Sequence, residues 1–366
     1  MIAHMAQELS WELIGERVRL SRLSSGLSQS ALARRIGLER SMVSKLETGG
    51  RHIDAVELTR IARELDFPLT HFLSAPPAVV SRRAAIASEI DESDDSKRSY
   101  RTEARISDWL RDVRQLMDDG VLQPRPLLCF PGTVSSNDKA REAAGWLRGQ
   151  LDLGTEPLGS MTEVCERAGQ FTSVVSLPEG AHGASLVDGE VAVAVVSERL
   201  QPGRQRSTAA HELGHLVLGD EFSSDLGVHT SRQDRENVVE AFGAEFLLPK
   251  ARARQAVARK DQDEVRRNLV ELAATYRVSW TLAVHQAAPE GDKSAEFWQR
   301  MKERTPTAAE FKDSLGWRPL PDLSQIRVPP GYASAVMRAL EEDLITVERA
   351  IEMMHEQVSP DEFDEE

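Results

Sequence analysis

Near the start of the chain, apolar positions recur at helical spacing and are cut by glycine. Ile14, Val18, Leu20 and Leu23 form one stripe that ends at Gly26. Ser28 is placed to N-cap a second helix over 29–36, which Gly37 breaks. A third helix, over about 40–47, closes at Gly49–Gly50. Ala33, Ile36, Leu38, Val43 and Leu46 have the spacing to pack the second and third helices together. The segment 11–74 is therefore predicted to hold about five short helices with a helix-turn-helix among them. That packing leaves Arg40, Ser41, Ser44 and Lys45 on the outer face of the third helix, and Gln29 at the start of the second. These types suit double-stranded DNA. Arg and Lys reach guanine or phosphate, Ser reaches either, and a helix start clamps a phosphate.

The pattern then changes. Residues 75–82 are broken by proline, and 90–105 are dense in charge, which reads as a linker or a solvated helix. Trp109, Leu110, Val113, Leu116 and Met117 follow as a helical stripe suited to docking or to a homodimer, and Pro124, Pro126 and Pro131–Gly132 mark a boundary. Helices are predicted over 138–151 and 161–168. Three short strands, 171–177, 183–187 and 191–196, then alternate with glycine-containing turns, as in a small antiparallel β-sheet. An apolar helical run covers 208–218, and another begins near Arg235 and ends at Pro249. Two helices meet at Val278–Ser279, and two more occupy 328–363 before an acidic tail. The fold class expected is mainly α with one small sheet.

Charge and cysteine content narrow the function. The 59 acidic and 45 basic residues give a net charge of −14, which excludes a chain devoted to coating nucleic acid. A local DNA-reading module remains open, because charge acts over about 8–10 Å. The two cysteines, Cys129 and Cys165, offer neither a disulfide framework nor a cysteine metal site, so a reducing cytoplasm is the expected home. The first residues lack the basic and apolar blocks of a signal peptide. The longest apolar strand-like run, 191–196, is far too short to span a bilayer, so no membrane partner is expected.

The candidate chemistry lies in the run 208–218, which contains His211-Glu212-x-x-His215. Histidines four apart share one helix face, so both imidazoles reach a single ion, at roughly 2.0–2.1 Å if it is zinc. Glu212 lies on an adjacent part of that surface, where it can take a proton from the ion's water. A catalytic zinc keeps three protein ligands and one open position. Candidates for the third are Asp220, Glu221, Asp225, His229, Glu236 and Glu240. Glu236 and Glu240 are one turn apart on an otherwise apolar helix, so one can bind the ion while the other orients a histidine. His229 or an arginine is the candidate to stabilise an oxyanion. Cys165 reads as a small buried residue, and Met353–Met354 as core or interface.

Two stretches resemble known families. SQSALARRIGLERSMVSKLETGGRHIDAVELTRIARELDFPLTHFL resembles the Cro/CI-type (XRE) helix-turn-helix family over about 12–74, through Ser28–Gln29, Ala33, Gly37, Ser44, Leu46–Glu47, Gly49 and Leu69 with Phe72. The family's recognition helix maps onto about 40–47. Glu39 departs from the small cap usual there and would repel a nearby phosphate. RSTAAHELGHLVLGDE with ENVVEAFGAEFLLP resembles the ImmA/IrrE-type metallopeptidase family over about 138–290. Counting back from Leu247–Leu248–Pro249 places that family's glutamate ligand on Glu236. Its usual Asn is Glu240 here, a carboxylate that would support the ligands.

The resemblance implies a helix-turn-helix DNA-binding domain (11–75), a charged linker and connecting helix (76–135), an α+β zincin-like metallopeptidase domain (136–290) and a helical C-terminal region (291–366). It further implies Zn²⁺, or Mn²⁺ in its place, on His211, His215 and Glu236, with Glu212 as the catalytic base. The expected function is a DNA-binding transcriptional regulator whose zinc-dependent endopeptidase domain cleaves a helix-turn-helix repressor in a stress or mobile-element response. Two other readings fit the same residues. One is a non-proteolytic transcription factor with a peptidase-like sensor domain. The other is a component of a toxin–antitoxin or phage-immunity pair.

Overall fold

The computed structural model describes residues 9–74, 94–219, 229–258, 261–289, 295–316, 321–323, 327–355 and 357–359; for 229–233 and 295 it describes the backbone alone. Within 9–74 local chemistry sets the helix ends. α1 (Trp11–Ser24), α2 (Gln29–Ile36) and α4 (Ala55–Leu65) are capped by Ser10, Ser28 and Asp54, each accepting a first-turn N–H. Gly37 ends α2 at φ 73°. α3 (Arg40–Glu47) starts at Glu39, whose side chain makes no capping bond, and α5 (Leu69–Leu73) follows Pro68. Ile14, Val18, Leu32, Ala33, Ile36, Val43, Leu46 and Phe72 form the core of this head. α1 meets α3 closely because residue 15 is glycine: a Cβ there would lie 2.3 Å from the Leu46 carbonyl oxygen.

The charged segment after residue 93 becomes a 25-residue helix, α6 (Asp94–Asp118). Its first half grips the head. Arg101 and Arg105 pair with Asp66 at 2.8 and 2.5 Å, and the Tyr100 hydroxyl lies 2.9 Å from His71 Nε2. Its second half buries Trp109, Leu110, Val113 and Leu116 beneath a sheet, where Trp109 Nε1 donates to the Phe171 carbonyl at 2.8 Å.

That sheet contains β1 (Gln170–Val175), β2 (Gly183–Asp188) and β3 (Val191–Ser197), in the order β1–β3–β2. β2 and β3 form the expected antiparallel hairpin, with Gly183 opposite Val196. β1 departs from the antiparallel expectation: it runs parallel to β3, with Gln170 opposite Ala192. The hairpin inserts β3 between the other two strands, so β3 takes the direction of β1. Being central, β3 is covered on both faces, which is why it reads as an almost unbroken apolar run. Val193 and Val195 face α6, while Ala192 and Val196 face the other core.

The second core gathers α7 (Asn137–Gln150), α8 (Met161–Arg167), α9 (Pro202–Val217) and α10 (His229–Leu247). α11 (Lys250–Val257), α12 (Gln262–Thr275), α13 (Trp280–Ala287), α14 (Ala295–Glu303) and α15 (Ala308–Leu315) extend it. α16 (Pro330–Glu341) and α17 (Val347–Met353) return to the α6 side of the sheet. Among the described residues, no helix is long and apolar enough to cross a membrane.

Candidate metal centre

α9 carries the His-Glu-x-x-His stretch, and three devices position it and α10. At its start, Arg206 (1% exposed) forms a buried ion pair with Asp322 and donates to the Gly159 carbonyl at 3.0 Å. Asp322 also accepts the Met161 N–H at 2.9 Å. Burial pushes the Arg206 guanidinium pKa down, and the Asp322 charge works against that shift. In the middle, Gly214 lets the two helices approach. A Cβ on it would lie 2.9 Å from Phe242 Cδ1 and 3.0 Å from Val239 Cγ1. Gly243 answers from α10, where an added Cβ would touch Ala210 C and His211 N at 3.5 Å. Near the end of α9, Arg235 donates to the Val134 carbonyl at 2.6 Å and to the Leu218 carbonyl at 3.2 Å. Glu236, its neighbour, is thereby brought over the two histidines.

His211 Nε2 lies 3.2 Å from His215 Nε2 and 3.2 Å from Glu236 Oε2. Among the described residues this is the one group of three potential ligands whose atoms lie within 4.8 Å of one another. Ligand atoms arranged tetrahedrally at roughly 2.0–2.1 Å from an ion stand about 3.3 Å apart, so two imidazoles and a carboxylate in this arrangement fit zinc. The His211 and Glu236 side chains are 25% and 35% exposed, which leaves a way in. For His211, burial acts to lower the pKa, but the Glu236 hydrogen bond and the charges of Glu212, Glu236 and Glu240 outweigh it and raise the pKa above the ordinary value.

Glu212 is 7% exposed and faces the sheet. The Ser185 hydroxyl donates to its Oε2 at 2.7 Å, and Gln170 Nε2 donates to its backbone carbonyl at 3.0 Å. Neither Ser185 nor Gln170 stands out in the sequence; alternation in β2 marks two faces without saying which one meets α9. Glu240 is exposed and bears on His211 through its charge. Asp220, Glu221 and Asp225, and the side chain of His229, lie outside the described residues.

In the head, Arg40, Ser41 and Lys45 are exposed along α3, and Ser44 is half-buried. The Gln29 side chain is turned inward, with Nε2 donating to Glu47 Oε2 at 2.8 Å. Glu47 is itself clasped by Arg22 at 2.5 and 3.0 Å. The Ser41 hydroxyl donates to Glu39 at 3.3 Å, and Met42, not singled out from the sequence, is 38% exposed beside them.

Comparison with known proteins divides the chain in the same way. Residues 18–72 match the helix-turn-helix family model, and residues 166–287 match the peptidase M78 model, described as the IrrE N-terminal-like domain. An uncharacterized transcriptional regulator in the ATPase CF(0) region of Rhodospirillum rubrum is 41% identical over 61 residues, 17% of this chain and 56% of that protein. The chain thus spans little more than half of that relative. A solved structure, Bacillus thuringiensis PlcR in complex with the peptide PapR7 and DNA, aligns over 92% of this chain and 99% of that one at 13% identity. Its TM-score of 0.17 is too low to indicate a shared overall fold.

Proposed function

We propose that this chain, which joins a helix-turn-helix domain to an IrrE N-terminal-like domain, is a cytoplasmic DNA-binding transcriptional regulator whose second domain is a zinc-dependent endopeptidase. The observation that carries this reading is the convergence of His211, His215 and Glu236 within 4.8 Å, with Glu212 on the same helix as the two histidines. Those three residues would hold the ion, with Mn²⁺ as an alternative for the same nitrogen and oxygen donors. When bound, zinc lowers the pKa of its water to about 7 and polarises a peptide carbonyl. Glu212 takes a proton from the attacking water and returns it to the leaving amine. The substrate proposed is a repressor with its own helix-turn-helix, a sister regulator or a second copy of this chain.

The test uses purified protein loaded with zinc and a co-expressed repressor partner. Glu212→Gln is expected to keep the metal and lose cleavage. A wild-type protein without metal, or a Glu212→Gln protein that cleaves at the wild-type rate, would falsify the peptidase assignment.

A further inference from the structure

We propose that Ser185 is a positioning residue for Glu212, holding one carboxylate oxygen so that the other is presented for proton transfer; this rests on the peptidase reading above. Ser185 lies on the edge strand β2 and is 6% exposed. Its hydroxyl donates to Glu212 Oε2 at 2.7 Å. The strand reaches the helix because residue 183, two positions earlier on the same face, has no side chain. A Cβ there would lie 2.6 Å from Thr208 Cγ2, 2.9 Å from the Val195 carbonyl oxygen and 3.1 Å from Glu212 Oε1.

β2 therefore treats the two carboxylate oxygens differently. Oε2 accepts a hydrogen bond from Ser185, while Oε1 borders the bare backbone of Gly183. An oxygen already accepting a charge-assisted hydrogen bond is the weaker proton acceptor of the pair, so Oε1 is the one left for chemistry. The last torsion of a glutamate is broad, and the Ser185 hydrogen bond narrows the range of planes that the Glu212 carboxylate adopts. A serine hydroxyl in a strand paired against Ala194 adds nothing to apolar packing that alanine would not. Its polar atom finds its partner in Glu212.

Acetohydroxamic acid tests this without a protein substrate. On chelating a metal it gives up its hydroxyl proton, which a neighbouring carboxylate accepts. The full chain is loaded with Co²⁺, and binding is read from the visible spectrum. Glu212→Gln is expected to weaken binding about tenfold. Ser185→Ala is expected to weaken it about fivefold, the order of one ordinary hydrogen bond's net contribution and less than Glu212→Gln because the carboxylate remains, with cobalt content unchanged. Ser185→Thr, which keeps the hydroxyl, restores wild-type binding. If Ser185→Ala binds like wild type while Glu212→Gln does not, the positioning role is overturned and the peptidase reading survives. Loss of cobalt from Ser185→Ala also overturns it, since Ser185 would then support the site's fold. A wild-type chain that takes up no cobalt, or a Glu212→Gln chain that binds normally, removes the peptidase reading and this role with it.

Discussion

The imidazoles of His211 and His215 aim their Nε2 atoms at one another across 3.2 Å. Glu236 completes the triangle at 3.2 Å from His211. Under the metal-site reading proposed above, one cation would take a ligand atom from each of the three groups. Glu236→Ala is expected to lower zinc affinity by more than about 100-fold, beyond the usual loss from a residue that only supports a ligand. Glu240→Gln, at an exposed position, is expected to change it far less. Chelator competition followed by metal analysis measures both, and equal losses would place the third ligand wrongly.

Gly214 has no room for a side chain. The alanine methyl would press on Phe242 and Val239 at 2.9 and 3.0 Å. Overpacking of this kind costs about 1–3 kcal/mol, more than the gain of up to about 1 kcal/mol from helix propensity. Gly214→Ala should therefore lower the urea midpoint and weaken metal binding, because it pushes α10 and Glu236 away from α9. Gly145, exposed on α7 with nothing within 4 Å of an added Cβ, is the control. Gly145→Ala should stabilise by about 0.5–1 kcal/mol.

How legible each element is in the sequence follows from the range of its interactions. The head's helices are readable because Ser28, Gly37 and Gly49 act on their own neighbours. The segment 90–105 reads as linker or solvated helix because its charge runs are dense. Its partner Asp66 lies 35 and 39 residues from Arg101 and Arg105, a separation no local pattern shows. The parallel pairing of β1 with β3 is long-range in the same way, whereas the β2–β3 hairpin is local and readable. Glu236 is singled out among the candidate ligands only by the family resemblance, counted back from Leu247–Leu248–Pro249. The exposure of Glu240 depends on how α10 is rotated against α9, which the spacing leaves open. Ser185 is hidden because no residue near it in sequence needs it.

His71 makes the joint between the head and α6 sensitive to acid. Burial, with Arg17 and Arg111 nearby, pushes its pKa from the ordinary 6.5 down to about 3. Between those values the unfolded chain binds the proton and the folded chain does not. The stability that neutral His71 supplies is therefore complete above about 6.5 and lost as the pH falls toward about 3. Wild-type protein should lose unfolding midpoint between pH 7 and pH 5, and His71→Gln should lose less. Equal losses would show that His71 does not control the acid response of this joint.

DNA binding should separate the exposed residues of α3 from the clasp beneath them. Arg40 and Lys45 are exposed. Removing a side chain that neutralises one phosphate flattens the dependence of log affinity on log salt by about 0.9. Arg40→Ala with Lys45→Ala should weaken binding to a duplex carrying the chain's own promoter and reduce that slope, with the head's stability unchanged. Glu47→Ala should behave oppositely. It leaves Arg22, only 7% exposed, without the carboxylate that now takes two of its nitrogens. Breaking a buried pair from one side costs about 3–5 kcal/mol, so the head should unfold earlier in urea. Gln29→Ala removes one donor from Glu47 but leaves the arginine clasp intact, so it should unfold later in urea than Glu47→Ala and change the salt slope less than the Arg40 and Lys45 variant. If Gln29→Ala matches the Arg40 and Lys45 variant in salt slope, Gln29 leaves Glu47 for a phosphate when DNA is bound.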